Sequence, residues 1–345
     1  MPRSINRVRF LALLFATLIF TTSANAQDDK LALPNSNLVP LDAPVVIILR
    51  PAAFLKLPEI KAVFDEFVRR DEIKKVVDLA EPESVEEIII VQMSRDFKPG
   101  DSEVALVAGG AVIVKTNKPR EWKALAAAAQ LPITKATHAG IDYFYFRMGE
   151  AAAPIVFGFF QPNDKTVILA SETNLRKMIE GIKAGGAAKT PKIAGTTPIT
   201  VAAAAVDFRW IRDLFNPQVK RMSGGASVSF AVIGPIWEKT DYVTVHLDAA
   251  DREKFTLTAE DNCADEDGAK SVEKTIEALL TLGRNVAPEF LKMVRVERHD
   301  NPALSEFATM AEQLLKSASV SREGTRVRCQ VSVKADVAKL VRMLH

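Results

Sequence analysis

The chain has 345 residues, of which 45 are Lys or Arg and 43 are Asp or Glu, and 48% of the residues are hydrophobic. This composition excludes a disordered chain, because enough apolar side chains are present to build a core. The near balance of charge gives no electrostatic reason to expect nucleic acid or an anionic membrane surface as a partner.

The first 26 residues have the three parts of a secretory signal peptide. Arg3, Arg7 and Arg9 form a positive segment, residues 10–20 are an uncharged apolar run, and residues 21–26 are small or polar. Export machinery recognises this order of segments, so we expect the chain to be exported to the periplasm or out of the cell.

Small residues stand where a signal peptidase would cut. Ala24 and Ala26 occupy the two positions that need them, so Gln27 is the expected mature N-terminus. The apolar run before them has eleven residues, and as a helix it rises about 16 Å, too short for a bilayer core of about 30 Å. No later apolar run approaches the length needed to span a membrane, so no transmembrane segment is expected after cleavage.

The rest of the chain is long enough for two domains. Cleavage leaves 319 residues with 42 basic and 43 acidic side chains, more than one core usually organises. Residues 184–198 (AGGAAKTPKIAGTTP) show no helical or strand period, which indicates a linker. The sequence therefore predicts a signal peptide over residues 1–26, a first α+β domain over 27–183 and a second over 199–345.

In the first half, apolar and alternating runs predict six strands and amphipathic spacing predicts three helices. The strands are Pro44–Leu49, Glu87–Met93, Glu103–Lys115, Ile141–Met148, Pro154–Phe160 and Thr166–Ala170. The helices begin at Pro58, run from Pro119 to Ala129, and follow the N-cap Ser171 up to Gly185.

The second half gives a similar set of elements. Its predicted strands are Thr200–Val206, Ala226–Ile233, Tyr242–Leu247, Lys254–Ala259 and Arg326–Val333. Its predicted helices follow the N-cap Asp207 or span Asp265–Leu282, Pro302–Leu315 and Ala335–Leu344.

The two halves resemble each other at both ends. VILASETNLRKMI in the first half resembles QVSVKADVAKLV in the second at an offset of 162, and the starts repeat at an offset near 157. Similar offsets suggest duplication of one unit, although two α+β domains share such segments by chance as well. We expect two similar halves, each a mixed or mostly antiparallel sheet with helices packed on one face.

The chain has two cysteines, Cys263 and Cys329, and each lies in or near the end of a strand-like run. In an oxidising compartment, two cysteines of one domain can form a disulfide. Small buried hydrophobic side chains are the alternative, and the sequence leaves both open.

Metal chemistry finds little support in the sequence. The four histidines are His138, His246, His299 and His345, and no two have the spacing of a helical ligand pair. Residues 261–268 (DNCADEDG) partly match a calcium loop, but Cys263 and Lys274 stand where ligands are required. We expect Asp265, Glu266 and Asp267 instead to cap the following helix by placing negative charge on its first turn.

Nucleophile and phosphate motifs are missing as well. The sequence contains no Gly-x-Ser-x-Gly, and Gly109-Gly110 and Gly185-Gly186 lack the residues that a phosphate-binding loop needs. It therefore predicts no catalytic residue, no cofactor site and no metal site.

One strand has aromatic residues on both faces. Along residues 141–148, Tyr143 and Tyr145 point to one side and Phe144 and Phe146 to the other. One side must belong to the core. The tyrosine side is a candidate binding face if it is open, and otherwise a helix or the other half covers it.

The whole layout resembles a known group of proteins. PVVIILRPAAFL, and later VAAAAVDFRWIRDLF, each join a strand to an amphipathic helix after a signal peptide. This is similar to uncharacterised exported bacterial proteins built from tandem α+β units. The resemblance implies a fold and a location but no site residues.

These features favour a non-enzymatic protein that binds a protein or small-molecule partner or belongs to the cell envelope. An extracytoplasmic hydrolase is the alternative, since catalytic residues need no fixed spacing and can converge only in the fold. A purely structural envelope protein is a third reading. Two or more convergent polar groups with shifted pKa values would favour the hydrolase.

Overall fold

The computed structural model describes residues 38–40, 43–56, 61, 81–93, 109–128, 131–148, 155–184, 199–219, 225–249, 254–297 and 302–334. The chain divides into two compact units, residues 1–193 and 194–345. This division falls inside the predicted linker 184–198. The predicted signal peptide, residues 1–26, and all of the linker after Ala184 lie outside the described residues.

The described part of the first unit contains seven strands joined in antiparallel pairs, in the order β1-β2-β3-β7-β6-β5-β4. They are β1 (Val45–Leu49), β2 (Val85–Gln92), β3 (Gly110–Thr116), β4 (Thr134–His138), β5 (Ile141–Met148), β6 (Ile155–Asn163) and β7 (Thr166–Ser171). Its helices are α1 (Pro51–Phe54), α2 (Trp122–Ala128) and α3 (Glu172–Lys183), with a 3-10 turn at Pro82–Ser84.

Helices cover both faces of this sheet. One face packs with Trp122 and Ala126 of α2, and its buried strand residues are Ile88, Val112, Val114, Phe146, Phe159 and Val167. The opposite face carries Ile89, Ile113 and Ile168, which are paired across the sheet and almost fully buried. On that side α3 contacts β3, β6 and β7. The prediction of helices on one face is therefore wrong for this unit, because β2 and β3 are apolar on both sides and need two covers.

The described part of the second unit has five strands, again paired antiparallel, in the order β8-β9-β10-β12-β11. They are β8 (Thr200–Asp207), β9 (Thr240–Ala249), β10 (Lys254–Cys263), β11 (Ser319–Glu323) and β12 (Arg326–Lys334). The helices are α4 (Phe208–Val219), α5 (Gly225–Lys239), α6 (Glu266–Glu297) and α7 (Pro302–Ser317).

One face of the second sheet packs against helices. Ala269, Val272 and Ile276 of α6 contact Cys263 and Val327, the latter from β12. Ile236 of α5 and Val320 of β11 join the same cluster. This face is called the helix face below.

The α+β class and the mostly antiparallel pairing are confirmed, and every described pair of strands is antiparallel. The predicted strands other than Ala226–Ile233 correspond to described strands, although part of Glu103–Lys115 lies outside the described residues. The predicted helix after Pro58, apart from Lys61, and the predicted helix Ala335–Leu344 also lie outside them. Strands β4 and β11 were not predicted, and α6 runs on to Glu297 rather than ending at Leu282.

The predicted strand Ala226–Ile233 is wrong, because these residues belong to α5. A short apolar run fits a strand and a buried helix equally well, so its period does not decide. Its neighbours do: Ile236 packs on α6, and Trp237 meets Phe208 of α4 edge-on with ring centroids 5.5 Å apart.

Close packing of α3 on its sheet depends on Gly158. A Cβ atom there would lie 2.7 Å from Leu175 Cδ2 and 3.2 Å from the carbonyl oxygen of Phe144. Such contacts force side chains or backbone to shift. By contrast, a Cβ atom added to Gly181 of α3 would have no heavy atom within 4 Å.

We expect Gly158→Ala to lower the free energy of unfolding by about 1–3 kcal/mol, since the added methyl group overpacks the interface between α3 and β6. Gly181→Ala should raise it by up to about 1 kcal/mol through helix propensity. Urea unfolding of both variants measures the difference. Equal effects of the two substitutions would contradict the close approach at Gly158.

Candidate functional site

Polar and apolar side chains alternate along the strands of the second sheet. In β9, Tyr242, Thr244 and His246 alternate with Val243 and Val245. The antiparallel register aligns the polar sets of neighbouring strands on one side, opposite the helix face. This side is called the polar face, and it consists of Thr200, Asp207, Tyr242, Thr244, His246, Asp248, Thr256, Thr258, Glu260, Asn262, Arg326, Arg328, Gln330 and Ser332.

Along β9, the polar face is more deeply buried than the apolar side of the same strand. Thr244 is 1% exposed, His246 6% and Glu260 3%. Val243 and Val245, which point to the other side, are only half-buried. Antiparallel sheets usually show the opposite arrangement, with the polar side in solvent. Burial of this face therefore carries a desolvation cost that its side chains must offset by hydrogen bonding.

The buried charges of the polar face are paired within the chain. Nε and Nη2 of Arg328 both donate to Glu260 Oε1, the first at 2.7 Å. Asp207 Oδ1 accepts hydrogen bonds from the backbone N–H of Arg209 at 3.1 Å and from its Nε at 3.2 Å. Thr200 Oγ1 donates to Asp248 Oδ1 at 2.5 Å. Asp207 Oδ1 also accepts the backbone N–H of Trp210 at 3.4 Å. These contacts confirm the predicted role of Asp207 as the N-cap of α4.

Three polar side-chain atoms on β9 are buried without a hydrogen-bond partner among the described residues. They are the hydroxyl oxygen of Tyr242, Oγ1 of Thr244 and Nδ1 of His246. His246 Nε2 lies 3.8 Å from Asp248 Oδ2, beyond hydrogen-bond length. Each such atom costs about 1–3 kcal/mol. The three atoms stand on alternate residues of one strand.

These atoms belong to a phenol, an alcohol and an imidazole, each of which can form hydrogen bonds. Burial, and next the Asp207 carboxylate, raise the pKa of Tyr242 above its usual range, so its hydroxyl stays protonated and can donate. Because neither Thr244 Oγ1 nor His246 Nδ1 has a partner, they do not form the nucleophile–base contact that hydrolysis would require.

On the strands of the second sheet, the other groups with shifted pKa values are Asp261, Cys263 and Cys329, and all three lie on the helix face. Burial raises the pKa of Asp261 to about 6 against a weaker opposing effect of the Thr240 hydroxyl. Burial, followed by Asp261, Asp241 and Asp265, raises the pKa of Cys263 to about 11. The Cys263 thiol is therefore protonated at neutral pH and unreactive. Asp261 and Tyr242 face opposite sides of the sheet, so these shifted groups do not converge.

The acidic segment before α6 acts as a helix cap. Asp265 Oδ1 accepts the N–H of Gly268 at 2.6 Å, and Glu266 and Asp267 stand in the first turn of α6. This confirms the predicted capping role of Asp265. Among the described residues, no three His, Cys, Asp or Glu side chains are grouped closely enough to hold a metal ion.

Cys263 and Cys329 are both free thiols. Cys329 pairs with Ala259 across β10 and β12, and Cys263 lies four residues further along β10, or about 13 Å. The Cα atoms of a disulfide are at most about 7 Å apart. The disulfide alternative is therefore wrong in this register, and Cys263 belongs to the apolar cluster beneath α6.

The tyrosine side of β5 is not an open surface at Tyr143. This side chain is fully buried, and its hydroxyl donates to Glu172 Oε1 of α3 at 2.6 Å. Arg176 Nη2 donates to the same hydroxyl at 2.9 Å. Tyr145 is half-buried, with its ring centroid 6.4 Å from that of Tyr143. A helix covers this side, because a sheet that is apolar on both faces requires a second layer.

The sequence did contain the signal for the polar face. YVTVHLD in β9, FTLTAEDN in β10 and RVRCQVSV in β12 alternate with the same two-residue period. Alternation of this kind indicates a solvated face, so the polar residues were not predicted as a site. Their burial depends on tertiary packing that alternation does not encode.

None of the helices in the described ranges is long and apolar enough to cross a membrane. Comparisons with protein-family models, curated proteins and solved structures find no match to this chain. A functional assignment therefore depends on the geometry and chemistry of the polar face.

We expect Asp261→Asn to remove a pH dependence of stability. With a pKa of about 6 in the folded chain and 3.8 as the ordinary value, the Asp261 contribution is full below pH 3.8 and is lost as the pH rises to 6. The lost stability is about 3 kcal/mol. Urea unfolding should show the variant about 2–3 kcal/mol more stable at pH 7.5 and equal to the parent at pH 3.5.

Asp213→Asn, at an exposed carboxylate of α4, is the matched control and should leave the pH profile of the parent unchanged. The difference in unfolding free energy between the parent chain and Asp261→Asn should change between pH 4 and pH 6. A difference that stays constant over this range would contradict the burial of an ionisable Asp261.

Two buried threonines allow a matched test of the unpaired atoms. Thr244 Oγ1 has no described partner, whereas Thr116 Oγ1 donates to Lys118 O at 2.8 Å and lies 3.1 Å from Lys165 O. Thr244→Val should be neutral or raise the free energy of unfolding by up to about 1 kcal/mol, since it removes an unpaired hydroxyl. Thr116→Val should lower it by about 1–2 kcal/mol. Loss of stability in Thr244→Val as large as in Thr116→Val would mean that Thr244 is already hydrogen-bonded.

Proposed function

We propose that this is an exported, non-enzymatic protein that binds a small polar ligand on the polar face of its second sheet. The observation that carries the proposal is the row of three unpaired buried polar atoms on Tyr242, Thr244 and His246. A structural sheet gains nothing from such atoms, because apolar side chains of the same shape would avoid the cost. A ligand that supplies hydrogen bonds offsets that cost when it binds.

Binding is favoured over hydrolysis by the absence of a reactive pair in the described part of the polar face. On the strands of the second sheet, the groups with shifted pKa values divide between the two faces, with Tyr242 on one and Asp261 and Cys263 on the other. The raised pKa of Cys263 also keeps that thiol from acting as a nucleophile at neutral pH. The polar face therefore supplies recognition groups rather than an acid, a base and a nucleophile in contact.

Export is proposed from the sequence of residues 1–26. The basic residues, the apolar run and the pair Ala24 and Ala26 before Gln27 form the order that a signal peptidase requires. Two free, protonated thiols are compatible with an oxidising compartment because neither is poised to react.

We also propose that the two units arose by duplication. In each unit the order of neighbouring strands is first, second, third, last and next to last, as β1-β2-β3-β7-β6 and β8-β9-β10-β12-β11. The hairpin β4–β5 is then an addition to the first unit. Sequence profiles built separately for each unit from homologous chains should match each other in this order, and profiles that align in another order would contradict the duplication.

The proposed function predicts what natural protein carries with it. Native mass spectrometry of the chain purified from the organism's extracytoplasmic fraction should show the mass of a chain that starts at Gln27. It should also show a larger mass for the same chain in a noncovalent complex with its ligand. Thr244→Val should lose the complex, because one of its hydrogen bonds is gone, while Thr116→Val should retain it.

Two results would contradict this proposal. A natural protein that still begins at Met1 and is recovered from the cytosol would remove the export proposal. A chain that is free of ligand at natural abundance, and whose unpaired polar atoms bind only ordered water in a high-resolution crystal structure, would remove the binding proposal.

A further inference from the structure

We infer that the packing of α6 on the second sheet is a proton-controlled latch. It holds while the Asp261 carboxyl group is protonated and loosens when this group ionises. Asp261 stands on the helix face of β10, two residues before Cys263, and is only 7% exposed. Because the helix face lies opposite the polar face, the inference does not depend on the ligand proposed there.

The surroundings of this carboxyl group are mostly apolar. Its cross-strand partner Val327 is fully buried, and Val327 and Cys263 both pack against Ala269 and Val272 of α6. Burial in this interface removes the water that hydrates a carboxylate, which costs free energy unless protein donors replace that water. The protonated acid bears a much smaller cost, so the closed packing of α6 favours the neutral form.

The described residues offer little to replace the lost hydration. Among them, the only donor to the Asp261 side chain is the Thr240 hydroxyl, 3.4 Å from Oδ1. Hydrogen bonds between oxygen atoms are usually no longer than about 3.0 Å. Glu260, the preceding residue, instead receives two nitrogens of Arg328. An ionised Asp261 is therefore stabilised when α6 moves away and water reaches it.

Charges on the neighbouring elements do not offset this cost. Burial raises the pKa of Asp261 to about 6, against the weaker opposing effect of the Thr240 hydroxyl. The ionised group helps in turn to raise the pKa of the Cys263 and Cys329 thiols, so it lies close to both. The other charged groups on the described elements around it are acids or exposed lysines, namely Asp241 of β9, Asp265 before α6, Glu266, Asp267, Lys270 and Glu273 of α6, and Lys239 of α5.

The difference between the closed and open forms sets the size of the effect. An opening of α6 that exposes Asp261 to water returns its pKa from about 6 to the ordinary 3.8. The closed form has its full advantage below pH 3.8 and loses it as the pH rises to about 6. Each pKa unit is a tenfold change in an equilibrium constant, so the constant for opening rises about 50-fold between pH 4 and pH 7.5.

Hydrogen exchange of the intact chain, followed by mass spectrometry, tests the latch because it measures local opening. With rates corrected for the intrinsic pH dependence of exchange, amides of α6 between Ala269 and Ile276 should open about 50-fold more at pH 7.5 than at pH 4. Asp261→Asn should remove this difference, and Asp213→Asn, at an exposed carboxylate, should keep it. Thr240→Val removes the weak donor and should move the midpoint of the change to higher pH.

Amides in the middle of β9, from Val243 to Leu247, are the internal reference. They should exchange more slowly than those of α6 at both pH values, because the latch opens the helix without unfolding the sheet. Equal opening of α6 and β9 would show that the helix separates only on global unfolding, and this result would overturn the inference. Opening of α6 that does not change with pH in the parent chain, or a change that persists in Asp261→Asn, would overturn it as well.

Discussion

The two-residue period of paired antiparallel strands decides which side chains share a face in both units, and the other features follow from it. In the first unit, β2 and β3 have apolar side chains on both faces of the sheet. Adjacent residues such as Ile88 and Ile89 point to opposite faces, so helices pack on both sides. In the second unit, the two faces differ chemically. Val243 and Val245 of β9 point to the helix face, whereas Thr244 and the polar residues beside it point to the polar face.

Burial of the polar face on β9 distinguishes the second sheet from the first. Cross-strand pairing satisfies its charged members, as the Glu260–Arg328 pair does, and capping of α4 satisfies Asp207. On β8, the alanines Ala203 and Ala205 stand opposite His246 and Thr244 and offer them no side-chain hydrogen bond. On β10, Thr258 and Glu260 stand opposite the same two residues, yet Thr244 Oγ1 and His246 Nδ1 have no hydrogen-bond partner among the described residues. Small residues beside unpaired polar groups leave their hydrogen bonds to be made by something outside the strand pair.

The sequence predicted most strands and the class of the fold, because period and turn residues are local properties. It failed at Ala226–Ile233, where contacts with α4 and α6 decide for a helix. The sequence did not decide whether Tyr143 is buried or exposed. The position of α3, whose Glu172 accepts the Tyr143 hydroxyl, shows that it is buried. The disulfide alternative failed for a related reason: the strands were predicted correctly, but their register, which separates Cys263 from Cys329, is not a local property. The polar face was visible as alternation, yet its burial was not.

The two carboxylates of β10 near its end show how the face, rather than the residue type, sets the chemistry. Glu260 points to the polar face, where Arg328 donates to it through two nitrogens. Asp261 points to the helix face, where burial raises its pKa to about 6 and the only described donor is the Thr240 hydroxyl at 3.4 Å. Adjacent acids thus differ because the pleat sends them into different environments. The same reasoning applies to β9, where the pleat turns the unpaired Thr244 hydroxyl to the polar face and turns Val243 and Val245 to the helix face.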